Sequence, residues 1–126
     1  IGLLLPSLGI ASEITLDALS RDEAWQKETD ADPLYFRIVT PRWFTLSTKA
    51  QQSLEGQGRS ITTPLLMVTG GADGIASTPA ARAFFETIGS ADKTYVEEPG
   101  FRHEVMCEIG KEAVWEKISR WISAHR

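Results

Sequence analysis

Along the second half of the chain, apolar and polar positions alternate in a way that predicts strand, helix, strand, helix. Pro64-Leu65-Leu66-Met67-Val68-Thr69 is a short, continuously apolar run ending in Gly70-Gly71, as expected of a strand buried on both faces. Ser77-Thr78-Pro79 opens a helix that carries Phe84, Phe85 and Ile88 and stops at Gly89. Residues 93–97 alternate like a second strand. Val114, Ile118, Trp121 and Ile122 then form an apolar stripe on a helix running to the C-terminus. Strand–helix–strand with connections of this length implies parallel strands joined by a right-handed crossover. The predicted fold class is α/β.

Residues 1–60 are patterned differently. Apolar clusters are separated by turn signals at Pro6, Ser20-Arg21-Asp22, Asp30-Ala31-Asp32-Pro33 and Gly56-Gln57-Gly58, and no segment alternates regularly enough to predict a strand. One helix is well marked. Thr40 suits the N-cap, Pro41 the first helical position, and Trp43, Ser47, Ala50 and Leu54 share one face before Gly56 ends the helix. The chain therefore divides into a helical region over residues 1–60 and a βαβα unit over residues 61–126. Two parallel strands make a poor sheet, because parallel sheets are normally larger and covered by helices on both faces. The rest of the sheet is expected upstream, and a first residue other than Met agrees with that expectation.

Composition narrows the choice of partners. An apolar share of 42% and a charged share of 24% are those of an ordinary globular chain. A net charge of −4 argues against nucleic acid and against a polybasic membrane anchor. The single cysteine, Cys107, has no internal disulfide partner, which fits a reducing compartment. No run approaches the roughly 20 apolar residues of a membrane span, and the apolar start at Ile1–Ile10 lacks the basic flank of a signal peptide. The expected location is cytoplasmic, with peripheral attachment to a membrane left open.

In open parallel sheets, reacting groups gather at the carboxyl ends of the strands. Asp73 follows the first predicted strand and His103 the second. Neighbouring strands would bring both loops to one edge, where an imidazole could move a proton while a carboxylate holds its tautomer. The alternative, Asp73 capping a turn and His103 facing solvent in a loop, weighs equally on pattern alone.

The ordered set of motifs resembles a known family. Ile61-Thr62-Thr63-Pro64-Leu65-Leu66-Met67-Val68-Thr69-Gly70-Gly71-Ala72-Asp73 is similar to the segment preceding the acid in monoacylglycerol lipases and lysophospholipases, serine hydrolases of the α/β-hydrolase fold. Ser90-Ala91-Asp92-Lys93-Thr94 and Gly100-Phe101-Arg102-His103-Glu104 resemble that family's approach to its histidine. Leu19-Ser20-Arg21-Asp22 and Asp32-Pro33-Leu34 resemble its cap region. The resemblance implies that Asp73 and His103 are the catalytic acid and base. It implies a cap over residues 1–60 and, over residues 61–126, the last two parallel strands of the hydrolase core with their flanking helices. Leu3, Leu4, Leu5, Phe36, Ile38, Trp43 and Phe44 would then face an acyl chain, although most large apolar residues are simply core. Ile75, two places after Asp73, is the substrate-binding candidate.

One part of the family pattern is missing. The nucleophile belongs in a Gly-x-Ser-x-Gly elbow, and no serine here has those flanking glycines. Gly70-Gly71-Ala72-Asp73-Gly74 imitates the elbow with an unreactive Ala72 at its centre. The resemblance thus implies the C-terminal part of a hydrolase of lipid-like carboxylic esters, inactive without the missing nucleophile half. The expected partner is that N-terminal half of the same enzyme or a homodimer partner. No cofactor and no metal is expected, since His103-Glu104-Val105-Met106-Cys107 is not a zinc helix and no glycine pattern fits a nucleotide. Cys107 reads as an unreactive thiol and His125 as a helix-end residue. The rival of another class is a non-catalytic α/β module that binds a partner chain through an exposed sheet edge and an apolar cap.

Overall fold

The computed structural model describes residues 5–126. Strand β3 (Leu65–Gly70) and strand β4 (Lys93–Glu98) pair in parallel, in a register that runs from Leu65 opposite Lys93 to Gly70 opposite Glu98. Helix α4 (Thr78–Thr87) makes the crossover between them, and helix α5 (Lys111–Ala124) follows β4. The two strands therefore end level, and the loops carrying Asp73 and His103 leave the sheet from the same edge.

Each helix of this unit begins and ends for a local reason. Ser77 caps α4 by accepting from the Ala80 N–H, with Pro79 near the start, where its missing N–H costs nothing. Thr78 donates from its hydroxyl to the Gly70 carbonyl at 2.7 Å, which ties the head of α4 to the end of β3. At the other end, the Lys93 ammonium donates to the carbonyls of Phe85, Glu86 and Ile88. These carbonyls lie at the helix C-terminus, where the regular intrahelical donors run out, and the Phe85 carbonyl also accepts from the Ile88 N–H. Phe85 and Ile88 are buried, Phe85 against the Tyr95 ring at 5.2 Å, and Val114 of α5 is fully buried.

The expectation that β3 is covered on both faces is corrected. Leu65 to Thr69 are half-buried, and only Gly70 is buried. Among the described residues the sheet has two strands, and a cavity of about 410 Å³ lies open between Leu65, Leu66, Val68, Ile118, Trp121 and Ile122. The continuous apolar run is a sign of burial, but this chain does not supply all the cover.

Before residue 61 the structure holds more than the one marked helix. That helix, α3 (Pro41–Ser53), is capped as predicted by the Thr40 side chain, which accepts from the Trp43 N–H. Two short helices precede it, α1 (Leu16–Leu19), capped by Thr15, and α2 (Glu23–Ala31), capped by Asp22. The Ser20-Arg21-Asp22 turn signal is thus the entry to α2, a helix with no buried residue and hence no apolar stripe to announce it. The absence of strands is also corrected. Ile10–Ala11 (β1) and Ile38–Val39 (β2) pair antiparallel, as two-residue segments too short to show alternation.

Candidate active site

The loop after β3 turns on Asp73 itself. One carboxylate oxygen, Oδ1, accepts from the N–H groups of Ile75 at 2.8 Å and Ala76 at 2.9 Å, folding the chain into the start of α4. The other, Oδ2, lies 2.9 Å from His103 Nδ1. Burial works against the charge on Asp73. The Ala76 N–H, the His103 ring and the Ile75 N–H outweigh it and hold the carboxyl below the usual range. An ionised Asp73 accepts and Nδ1 donates, which in a neutral imidazole selects the Nδ1–H tautomer. The second ring nitrogen, Nε2, then carries a lone pair and has no hydrogen-bond partner among the described residues. The side chains differ in exposure, 8% for Asp73 against 36% for His103. A covered carboxylate behind a half-open imidazole is the arrangement needed to take up a proton at Nε2.

Backbone contact between the two loops sets this geometry. The Gly71 N–H donates to the Glu98 carbonyl and the Ala72 N–H to the Phe101 carbonyl, each at 2.9 Å. Gly70 sits against the His103 loop so closely that a Cβ there would lie 2.2 Å from the Arg102 carbonyl oxygen. Any side chain at position 70 would push the loops apart. Gly100 makes the turn out of β4 with φ +74°, a conformation that favours glycine.

Ile75 is half-buried and lines two cavities of about 530 and 620 Å³. One is walled by Trp43 and Phe44 of α3, the other by Leu54 and by Phe84 of α4. Of the other residues given to the apolar face, Leu5, Phe36 and Ile38 are exposed rather than packed, as are Trp43 and Phe44. Leu3 and Leu4 lie outside the described residues. Cys107 is half-buried, and burial together with the nearby Glu104 pushes its thiol up, away from the reactive thiolate. No group of three potential metal ligands occurs among the described residues. None of the described helices is long and apolar enough to cross a membrane.

Sequence reasoning passed over Glu108, whose side chain is completely buried. Its carboxylate accepts from the backbone N–H groups of Arg21, Arg102 and Ile109 and from the Arg21 guanidinium, at 3.0–3.1 Å. Burial raises the cost of its charge, but these donors outweigh it and keep the carboxyl below its ordinary range. A single acid in an irregular loop carries no periodic signal, so nothing in the sequence distinguishes it from a solvated glutamate.

The fold is that of known α/β-hydrolases. The chain superimposes on a monoacylglycerol lipase from Paleococcus ferrophilus with a TM-score of 0.88 and 24% identity, covering 99% of this chain and 49% of that one. A soluble variant of the Saccharomyces cerevisiae monoglyceride lipase gives 0.84 and 21%, over 98% of this chain and 47% of that one. Curated relatives include a putative monoglyceride lipase of Schizosaccharomyces pombe, 28% identical over 95% of this chain. Phospholipase YtpA of Bacillus subtilis is 28% identical over 91%, and the monoacylglycerol lipase of Mycolicibacterium smegmatis 27% over 99%. The chain spans only 32%, 45% and 45% of the length of these three relatives and corresponds to their C-terminal part. Residues 1–110 match the hydrolase family described as serine aminopeptidase S33, and the chain belongs to that family.

Proposed function

We propose that this chain supplies the acid and base of a serine hydrolase that cleaves carboxylic esters of lipid-like substrates, of monoacylglycerol or lysophospholipid type. The observation that carries the reading is the 2.9 Å contact of His103 Nδ1 with Asp73, at the level ends of two parallel strands. The nucleophilic serine and the oxyanion-stabilising N–H groups are carried by sequence outside these 126 residues. His103 Nε2 takes the serine proton as the hydroxyl attacks the ester carbonyl, then returns it to the departing alcohol. A water repeats the cycle on the acyl-enzyme. Asp73 stabilises the imidazolium formed in each step.

The apolar walls on either side of Ile75 favour an acyl chain over a polar substrate. Residues 1–60 act as the cap above the site, with Trp43 and Phe44 on its inner side. The names of the relatives point the same way. A second reading, a partner-binding module without catalysis, draws support from the exposure of Leu34 and Phe36, each 80% accessible.

Fluorophosphonate labelling read by intact mass separates the two, using this chain and a form extended upstream through its full reading frame. Labelling of the extended form alone is the expected result. Within it, His103→Ala removes most of the activity, and Asp73→Asn lowers kcat by on the order of 10⁴. No labelling of either form overturns the serine-hydrolase reading and leaves a non-serine enzyme or the binding module, whereas wild-type rates from either variant overturn the assignment of Asp73 and His103 as acid and base.

A further inference from the structure

We propose that Glu108 is a positioning residue for His103, holding its loop against the Leu19–Asp22 segment so that the imidazole meets Asp73 in one tautomer. This rests on the reading of Asp73 and His103 as acid and base. The connection is short: Glu108 Oε1 accepts from the Arg102 N–H, one residue before His103, and from the Arg21 N–H, both at 3.1 Å. Oε2 accepts from Arg21 Nε at 3.1 Å and from the Ile109 N–H at 3.0 Å. One carboxylate thus joins two stretches of backbone more than 80 residues apart in sequence.

Other bonds follow the same seam. The Glu104 N–H donates to the Leu19 carbonyl at 2.8 Å, and the buried Ser20 hydroxyl donates to the Cys107 carbonyl at 2.9 Å. The Arg21 guanidinium lies over the Phe101 ring at 5.8 Å. His103 lies between Phe101 and Glu104, so its loop is held on both sides.

The chemistry of Glu108 suits this task and not proton transfer. Its side chain has no exposed surface, and each oxygen already accepts two hydrogen bonds. Burying a carboxylate is costly unless donors surround it. Four donors meet that cost here, and they fix a loop that has no regular secondary structure between β4 and α5.

Glu108→Gln keeps the volume but turns an N–H₂ toward two of the four donors. Long-range ¹H–¹⁵N spectra of this chain, with His125→Gln as background, report the His103 tautomer without any need for a nucleophile. The wild-type ring is expected wholly as Nδ1–H at alkaline pH, and the Glu108→Gln ring as a mixture of both tautomers. In the extended enzyme, kcat is expected to fall on the order of 10²-fold with KM changed less than about twofold, as for a displaced proton acceptor. Should Glu108→Gln not fold, Arg21→Ala, which removes one donor, is expected to shift the tautomer the same way and lower kcat about tenfold. A folded variant with a lower melting temperature but wild-type tautomer and kcat overturns the proposal and leaves Glu108 merely structural. If instead Asp73→Asn changes nothing and no serine labels, the acid–base reading has failed, and the tautomer spectra still decide whether Glu108 orients the ring.

Discussion

The two histidines show how residue surroundings decide chemistry. His103 has one nitrogen 2.9 Å from a carboxylate and the other without a partner among the described residues, an arrangement that suits the proton acceptor proposed above. His125 ends α5 with both nitrogens engaged, Nδ1 donating to the Trp121 carbonyl at 2.6 Å and Nε2 facing Asp92 at 2.9 Å, its ring stacked on Trp121. The Trp121 carbonyl and then Asp92 raise its pKa, since both favour the charged ring. A raised pKa stabilises the fold fully below the unfolded value of about 6.5, and that contribution is lost as pH rises through the folded value. Urea midpoints of the wild type should therefore fall across that window, and His125→Gln should flatten the slope there. In sequence the two residues differed only in what preceded them, a strand end for His103 and a helix for His125. That made the first a candidate, but on pattern alone a solvent-facing loop residue weighed equally, and it was the family resemblance that tipped the balance. The acceptors that hold the second were not visible, because they depend on how α5 returns to the Asp92 turn.

At the scale of elements, α4 is fastened at both ends to the strands it connects. Its N-cap, Ser77, was readable from the Ser-Thr-Pro spacing. Lys93 was not, because its alternation in β4 said only that it shares a face with Tyr95. Lys93→Met is expected to cost about 1.5–3 kcal/mol, the loss of charge-assisted bonds to three carbonyls. Ser77→Ala is expected to cost about 1 kcal/mol. Chemical denaturation of both variants checks the order, and a larger effect for Ser77→Ala would contradict it. The βαβα unit was legible because each segment is long, periodic and bounded by glycine or proline. Of the earlier described elements α3 was legible from its Thr40-Pro41 start, but the others were not: α1 is four residues long, α2 has no buried residue, and β1 and β2 are two residues each. Glu108 escaped for a related reason, since its partners come from a segment whose place beside the loop is set only by tertiary packing.

At the scale of the whole molecule, the two-stranded sheet leaves apolar surface open along β3 and α5. Ile122, 49% accessible, lines that surface. In this chain Ile122→Lys should change stability by less than about 0.5 kcal/mol, as expected of a surface position. An extended form in which further sheet covers the same face should lose about 3 kcal/mol to an unpaired buried charge. Equal effects in the two forms would show that the face stays open. The in-register pairing of β3 and β4 has a consequence for how the chain acquires its site. Asp73 and His103 are separated by 30 residues, and their loops reach one level only once Gly70 stands opposite Glu98. Closing that long connection is the slow, entropically costly part of forming a parallel pair. On the proposed reading, the acid and base therefore become a working couple in the same event that completes the sheet, and a partly folded chain carries an aspartate and a histidine but no poised base to react indiscriminately.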